Sequence, residues 1–319
     1  MYCNHEVETM PRVAMIELQT KKLQKMIKWV YEKSPFYKEQ MASLGLTEQS
    51  IQTLEDLQKM PFTTKEDLVL NSPFGFLTGP LSSTIRMRMI GNYRPVTKAY
   101  TSADVGRNVE MTARALIAGG VNMSDVLQVC EDYTSESAMG IQYAAEILGA
   151  TVVPTELQKL ELQLELIDKL RITAIASNAQ QMLQLLVAGQ ALNYDVANMS
   201  VSKIFSLNND TKNNMGEHIA SRFNAQVFNI YSPPELGCSA MMFECQKKCG
   251  LHIQEDHYYP EIINITDGSN ILDGHMGELV LTTLSTDAMP IIRYRTGQLV
   301  SIDREVCSCG RTLSRIKMP

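Results

Sequence analysis

The segment VLQVCEDYTSESAMGIQYAAEILGATVVP, residues 126–154, decides the fold. Its first five residues form a short apolar run, 137–148 repeats small and apolar residues at helical spacing, and 151–153 is a second β-branched run. A strand, a helix and a strand in that order predict a crossover connection and parallel pairing. The pattern extends in both directions. Residues 101–118 read as a helix closed by Gly119 and Gly120, and 156–170 as a helix with Leu160, Leu164 and Ile167 on one face. Further strands are predicted at 173–176, 204–207 and 226–230, separated by helices at 178–187 and 212–223. The expected class is therefore α/β, a mostly parallel sheet with flanking helices. Beyond residue 258 the pattern changes to strands at 261–265, 278–284, 291–294 and 299–302 around the turn Asp273-Gly274, which predicts an antiparallel or barrel-like part completing the same unit. The first hundred residues are a helical lead-in. Met15, Leu18, Leu23, Met26, Ile27 and Val30 recur at helical spacing until Ser34-Pro35, and Thr63 is placed to cap a helix with Glu66 closing the box. The chain thus divides into 1–100, 101–258 and 259–319.

Composition excludes several classes of function. With 319 residues, 45% hydrophobic and 20% charged, the chain can bury one large core or two smaller ones. Lys+Arg number 29 against 35 Asp+Glu, a net charge of -6, so neither nucleic acid nor an anionic membrane is an expected partner. No apolar run approaches the roughly 18 residues of a membrane span. Residues 1–12 lack the apolar stretch of a signal peptide, so the expected location is the cytoplasm. The seven cysteines are an odd number, against a complete disulfide framework. Cys3, Cys130 and Cys238 are scattered, whereas Cys245 with Cys249 and Cys307 with Cys309 form close pairs, with His252 beside the first. In a reducing compartment that spacing points to a metal.

Three stretches carry candidate chemistry. NIYSPPELG, residues 229–237, follows an apolar strand, and open α/β sheets bind ligands outside the carboxyl ends of their strands. Tyr231 there could stack on a base and Glu235 could hold Mg²⁺ with phosphate oxygens, or the pair could be a buried Tyr and a solvated Glu in a plain turn. In MPIIRYRTGQL, residues 289–299, Arg293 and Arg295 alternate along the expected strand and could clamp an anion from one side, or serve as edge-strand charges. LHIQEDHYY, residues 251–259, is dense in titratable groups, but His252 and His257 are an odd number of positions apart and point to opposite faces of a regular strand.

Taken in order, these motifs resemble the phenylacetate–coenzyme A ligase family of adenylate-forming enzymes across nearly the whole chain. The matching stretches are YEKSPFY (31–37), PFTTKEDL (61–68), AAEILGATVVP (144–154), the acidic signature at 229–235, GLHIQEDHYYPEI (250–262), GELVLTTL (277–284), PIIRYRTG (290–297) and CSCGRT (307–312). The resemblance implies the large N-terminal domain of that fold. It also implies activation of an aryl or acyl acid by ATP·Mg²⁺ to an acyl adenylate, followed by transfer to coenzyme A. It gives Tyr231 to adenine stacking and Glu235 to Mg²⁺ and phosphate coordination, with Arg293 and Arg295 near ribose and phosphates. Glu235 and Arg295 are the expected catalytic pair. Some relatives hold zinc with cysteines and a His at these positions. Cys245, His252, Cys307 and Cys309 supply that set, with Cys249 a possible substitute for Cys245, and a closed tetrahedral Cys₃His site is structural.

The departures from the family pattern cluster around the nucleotide. The phosphate-cradling loop is replaced by MIGNYRPVTK, residues 89–98, where Tyr93 and Arg94 are bulky and Lys98 is the remaining cation. The ribose-binding Asp is Gln298, the nucleotide segment at 206–210 is altered, and Pro233 and Pro234 remove two backbone donors beside Glu235. The chain ends where the family's smaller domain, with its catalytic lysine, would begin. Residues 131–137 at the acyl side are more polar than an aryl pocket should be, which speaks against phenylacetate itself. The expectation is a ligase-like protein with impaired or lost turnover, or a non-catalytic module that binds an acyl ligand or a protein. A small acid and coenzyme A are the small-molecule partners it implies, with an oligomer or protein partner also open.

Overall fold

The computed structural model describes residues 1–91, 94–207 and 215–319. After a short turn, α1 (His5–Glu8), the helix α2 (Arg12–Lys33) buries Met15, Leu23, Met26, Ile27 and Val30 along one stripe. Ser34 ends it and Pro35 opens α3 (Pro35–Ser43), where a missing N–H costs nothing at the first helical position. The next helix, α4 (Lys65–Leu70), is capped by Thr64 with Asp67, one residue later than the sequence predicts. Thr63 is engaged elsewhere: its hydroxyl donates to the Ile292 carbonyl at 2.6 Å and lies 3.0 Å from that of Tyr37.

A two-stranded antiparallel ribbon, β1 (Arg86–Ile90) with β2 (Val96–Tyr100), precedes α5 (Ser102–Ala118), capped by Thr101 and Asp104. The sequence reading has no strands here. Then come β3 (Val126–Cys130), α6 (Glu136–Ile147), β4 (Thr151–Pro154), α7 (Leu160–Lys169), β5 (Ala174–Ser177), α8 (Ala179–Ala191), β6 (Lys203–Leu207), α9 (Met215–Phe223) and β7 (Gln226–Tyr231). These strands pair in parallel in the order β4-β3-β5-β6-β7. Alternate strand residues serve opposite faces: Ala174, Phe205 and Phe228 pack with α5 and α6, while Ile175, Ile204 and Val227 pack with α7, α8 and α9. Gly119 allows the end of α5 to reach this sheet, since a Cβ there would meet Phe205 at 2.5 Å.

Beyond β7 the sheet continues without a break but with reversed direction. The strands β8 (Met242–Glu244), β9 (Leu251–Ile253), β10 (Tyr258–Ile263), β11 (Gly277–Thr283), β12 (Tyr294–Asp303) and β13 (Arg315–Lys317) all pair antiparallel. The full order is β10-β11-β12-β13-β9-β8-β7-β6-β5-β3-β4, one 11-stranded sheet. The two strands expected at 291–294 and 299–302 are in fact one, β12, and residues 291–293 lie before it. Arg293 is in the left-handed region (φ 50), so the extended register that would align it with Arg295 is absent. The lead-in helices α2 and α3 share a core with β10 to β12, which folds the first hundred residues onto the antiparallel half.

Candidate functional site

The sheet changes from parallel to antiparallel at β7, and the carboxyl end of that strand delivers Tyr231 and the turn leading to Glu235. Gly237, left-handed at φ 64, closes the turn. Glu235 is buried and ion-paired to Lys65 Nζ at 3.0 Å, and the Tyr294 hydroxyl lies near enough for the two to interact. Burial, with the Glu235 charge, pushes the Tyr231 phenol up to about 12 and holds Tyr294 higher still. Tyr231, Glu235, Tyr294 and Lys65 therefore converge from β7, its following turn, β12 and α4. The sequence reading named the first two and passed over Lys65 and Tyr294. Both lie inside stretches it quoted, at 61–68 and 290–297, but only the tertiary fold brings them to Glu235.

The other expected nucleotide residues are engaged internally. Arg293 is buried and donates from Nε and Nη2 to the two Glu261 oxygens at 3.1 and 3.0 Å, and from Nη1 to the Met60 carbonyl at 2.8 Å. Arg295 Nε donates to Glu278 at 3.0 Å. Both guanidiniums lie over the Phe62 ring, at 4.1 and 5.6 Å. Gln298 is exposed on β12, just past Gly297 at φ 70. In the stretch expected to replace the phosphate loop, Arg94 is bidentate with Glu66 at 3.0 and 2.7 Å; Asn92 and Tyr93 lie outside the described residues. So do Asn208, Asn209 and Asp210 of the altered nucleotide segment.

Lys98 points into the protein. It is 2% exposed and donates to the Met289 carbonyl at 2.8 Å. Burial lowers its pKa from the ordinary 10.5 to about 8. The folded state therefore releases this proton before the unfolded chain does, and stability rises as pH passes from about 8 toward 10.5. Denaturant titrations of the wild type and K98M over that range are expected to show the wild type gaining on the variant as pH increases. A constant gap would mean that Lys98 titrates normally.

The acyl-side stretch is polar in three dimensions as well. Glu131 accepts from the backbone N and Nδ2 of Asn178 at 3.1 and 2.8 Å. Glu136 is buried against Arg86 at 3.0 Å, Arg88 at 3.6 Å and Asn108 Nδ2 at 2.6 Å. The β1 ribbon thus directs two arginines at the start of α6.

A second centre lies in the antiparallel half. Cys245 follows β8, His252 sits on β9, and Cys307 and Cys309 occupy the connection from β12 to β13. Their ligand atoms all lie within 4.8 Å of one another. Cys245 and Cys307 sulfurs are 3.9 Å apart, and the Cys309 sulfur is 3.5 Å from His252 Nε2. Metal–sulfur bonds of about 2.3 Å and metal–nitrogen bonds of about 2.0 Å in a tetrahedron require separations of roughly 3.8 and 3.5 Å. The four residues therefore fit one metal ion. A proton on His252 Nδ1 is donated to the Leu313 carbonyl at 3.1 Å, which leaves Nε2 free to ligate. The Cys245 thiol, His252 and Arg311 hydrogen-bond the Cys309 sulfur and hold it well below the ordinary thiol range. Cys249 is outside the group, its thiol turned to the Lys247 carbonyl at 3.2 Å. The N-terminus covers the centre: Arg311 Nε donates to Glu8 at 2.6 Å, and the Tyr2 hydroxyl donates to the Cys309 carbonyl at 2.9 Å. The sequence reading missed this cover, because Glu8 and Arg311 carry no local signal.

No helix among the described residues is long and apolar enough to cross a membrane. No family model matches the chain. It is 31% identical over 322 residues to a phenylacetate-coenzyme A ligase of Thermus thermophilus, spanning 98% of this chain and 71% of that one. The corresponding enzyme of Escherichia coli is 32% identical over 316 residues, spanning 97% and 72%. Among solved structures, 2-hydroxyisobutyryl-CoA ligase in complex with 2-HIB-AMP superposes with a TM-score of 0.90 at 20% identity, over 98% of this chain and 68% of that one. A long-chain-fatty-acid-CoA ligase from Archaeoglobus fulgidus superposes with a TM-score of 0.57 at 14% identity, over 75% and 52%. These likenesses in shape agree on the adenylate-forming ligase fold.

Proposed function

The chain belongs to the phenylacetate–coenzyme A ligase family, and from that premise we propose that it binds the acyl adenylate of a small acid at the carboxyl end of β7, with weakened ATP chemistry. The observation that carries this reading is the convergence of Tyr231, Glu235, Tyr294 and Lys65 where the sheet reverses direction, the place where open α/β sheets bind nucleotides. Tyr231 would lie against adenine, Glu235 would face Mg²⁺ and phosphate oxygens, and Gln298 would reach the ribose. Coenzyme A would be the acceptor.

The weakening rests on charge. Arg293 and Arg295 already face Glu261 and Glu278, so turning either toward phosphate leaves a carboxylate uncompensated. Pro233 and Pro234 supply no amide donors beside Glu235. The same ion pairs favour the alternative of a non-catalytic module that keeps an acyl-binding site.

Calorimetry with ATP·Mg²⁺ and with a non-hydrolysable acyl-adenylate mimic, beside acid-dependent pyrophosphate exchange, tests the reading. We expect the mimic to bind, ATP·Mg²⁺ to bind weakly, and exchange to be slow. Exchange near the roughly 10 s⁻¹ typical of enzymes would refute the weakened chemistry. Failure of the mimic to bind would refute the adenylate site. The second centre we assign to structural zinc, held by Cys245, His252, Cys307 and Cys309, in a cytoplasmic protein none of whose seven cysteines is in a disulfide.

A further inference from the structure

Directly behind the Glu235 turn lies a small cavity of about 20 Å³, whose border includes Lys98, Tyr100, Gly237 and Ser285 together with Asp104 and Arg107, which are paired with each other at 2.7 Å. Its lining is polar and incompletely satisfied. Tyr100 is 2% exposed, and its hydroxyl has no hydrogen-bond partner among the described residues. The Lys98 ammonium has three N–H donors and, among the described residues, makes one hydrogen bond, to the Met289 carbonyl. Gly237 keeps the space open: a Cβ there would sit 2.6 Å from the Tyr100 hydroxyl and 2.8 Å from Lys98 Cγ.

Ser285 supplies a contact of opposite sense. Its hydroxyl lies 2.6 Å from His257 Nδ1, while His257 Nε2 lies 3.2 Å from Asp256, itself fixed by Arg114 at 2.9 Å. With the ring proton on Nε2 facing that carboxylate, Nδ1 accepts the Ser285 proton, and the serine's lone pairs are left for a neighbour. Unmatched donors at Lys98 and Tyr100 and an acceptor at Ser285 ask for an oxygen-bearing group. At about 20 Å³ the space holds little more than one water-sized group, so only the oxygen-bearing end of a ligand enters it, and an aromatic ring, which needs about 150 Å³, does not.

We propose that this cavity is the acyl-specificity subsite and that it selects a short acid carrying a second oxygen, as hydroxyl, oxo or carboxylate, over an aryl acid. The position supports it. The cavity starts at Leu236, immediately after Glu235, and Tyr100 feels the charge of Glu136 in the acyl-side stretch. The inference rests on the adenylate site proposed above.

Calorimetry on the full chain with sulfamoyl-adenosine mimics tests it, comparing phenylacetyl, butyryl, 3-hydroxybutyryl, acetoacetyl and malonyl arms. At least one oxygenated arm is expected to bind about tenfold or more tighter than butyryl, as a hydrogen bond to a charged group implies, and to identify which oxygen is read. In K98M the ratio of that arm to butyryl is expected to fall to about one, and Y100F to reduce it. Phenylacetyl binding as tightly as the best oxygenated arm, or a ratio that survives both substitutions, overturns the proposal. Equal binding of all arms removes the selectivity and leaves the adenylate site standing. Binding of none removes both.

Discussion

Replacing Cys307 with serine is expected to release the zinc proposed for the Cys245, His252, Cys307 and Cys309 centre and lower the thermal unfolding midpoint by roughly 8 °C. Binding at a thousandfold excess over Kd stabilises the folded state by about 4 kcal/mol, and each kcal/mol moves the midpoint of a large domain by roughly 2 °C. The location makes so large a value reasonable. The four ligands join the end of β8, β9 and the connection from β12 to β13, segments whose strands β8, β9 and β13 are only three residues long and add few ladder hydrogen bonds of their own. Through Arg311 and Glu8 the same centre anchors the N-terminus, so metal loss also frees α1. Cys249 is the control: its thiol faces the Lys247 carbonyl, and C249S is expected to keep stoichiometric zinc and shift the midpoint by no more than about 1 °C. Metal analysis with differential scanning calorimetry on both variants decides the matter. Loss of zinc from C249S and retention in C307S would reverse the assignment, and wild type purified without chelator but short of one zinc per chain would end it.

The parallel half was legible because each strand is a short buried run and each helix between them has one apolar stripe; the ends of elements such as α6 and β4 move by a residue. The antiparallel half was harder for reasons that can be named. β8, β9 and β13 are too short for periodicity to register. β1 alternates Arg with Met, and its inward positions are the arginines, matched to Glu136 on α6, so hydrophobic patterning cannot find it. Thr63 and Thr64 are equally good caps in sequence; the choice falls to Thr64 because Tyr37 and Ile292 occupy the Thr63 hydroxyl. At the site, Tyr231 and Glu235 followed from the end of one strand. Their neighbours Lys65 and Tyr294 did not, since proximity there is a product of the sheet closing on its lead-in helices. The cysteine pattern pointed to a metal, while the choice between Cys245 and Cys249 awaited the turn that separates them.

Arg293 shows most directly how tertiary partners alter a motif's meaning, and R293M is expected to destabilise the chain by about 3–5 kcal/mol. The substitution keeps the bulk of the side chain but strands Glu261, which is 5% exposed and hydrogen-bonded to Arg293 through both oxygens, and it releases the Met60 carbonyl. Burial already raises the Glu261 pKa despite the guanidinium. Without that cation the carboxyl rises further, so the folded state binds the proton more readily than the unfolded chain, and stability falls as pH increases through the window between the two pKa values. The deficit of R293M relative to wild type should therefore be smaller in mild acid than at neutral pH. The double variant R293M/E261M removes both charges and is expected to recover most of the loss. R295M should cost less, about 1 kcal/mol or under, because the Arg295 side chain is 32% exposed and water can reach its pair with Glu278. Urea denaturation of the three variants and wild type, alongside adenylate-mimic titrations, separates the roles. If Arg293 mainly serves a ligand, R293M will lose mimic affinity while its urea midpoint stays near wild type, and E261M will not rescue it. If it mainly joins Phe62 and the lead-in chain to the sheet, the midpoint will fall first and E261M will restore it. The bidentate pair, its burial and the carbonyl it also holds favour the second result.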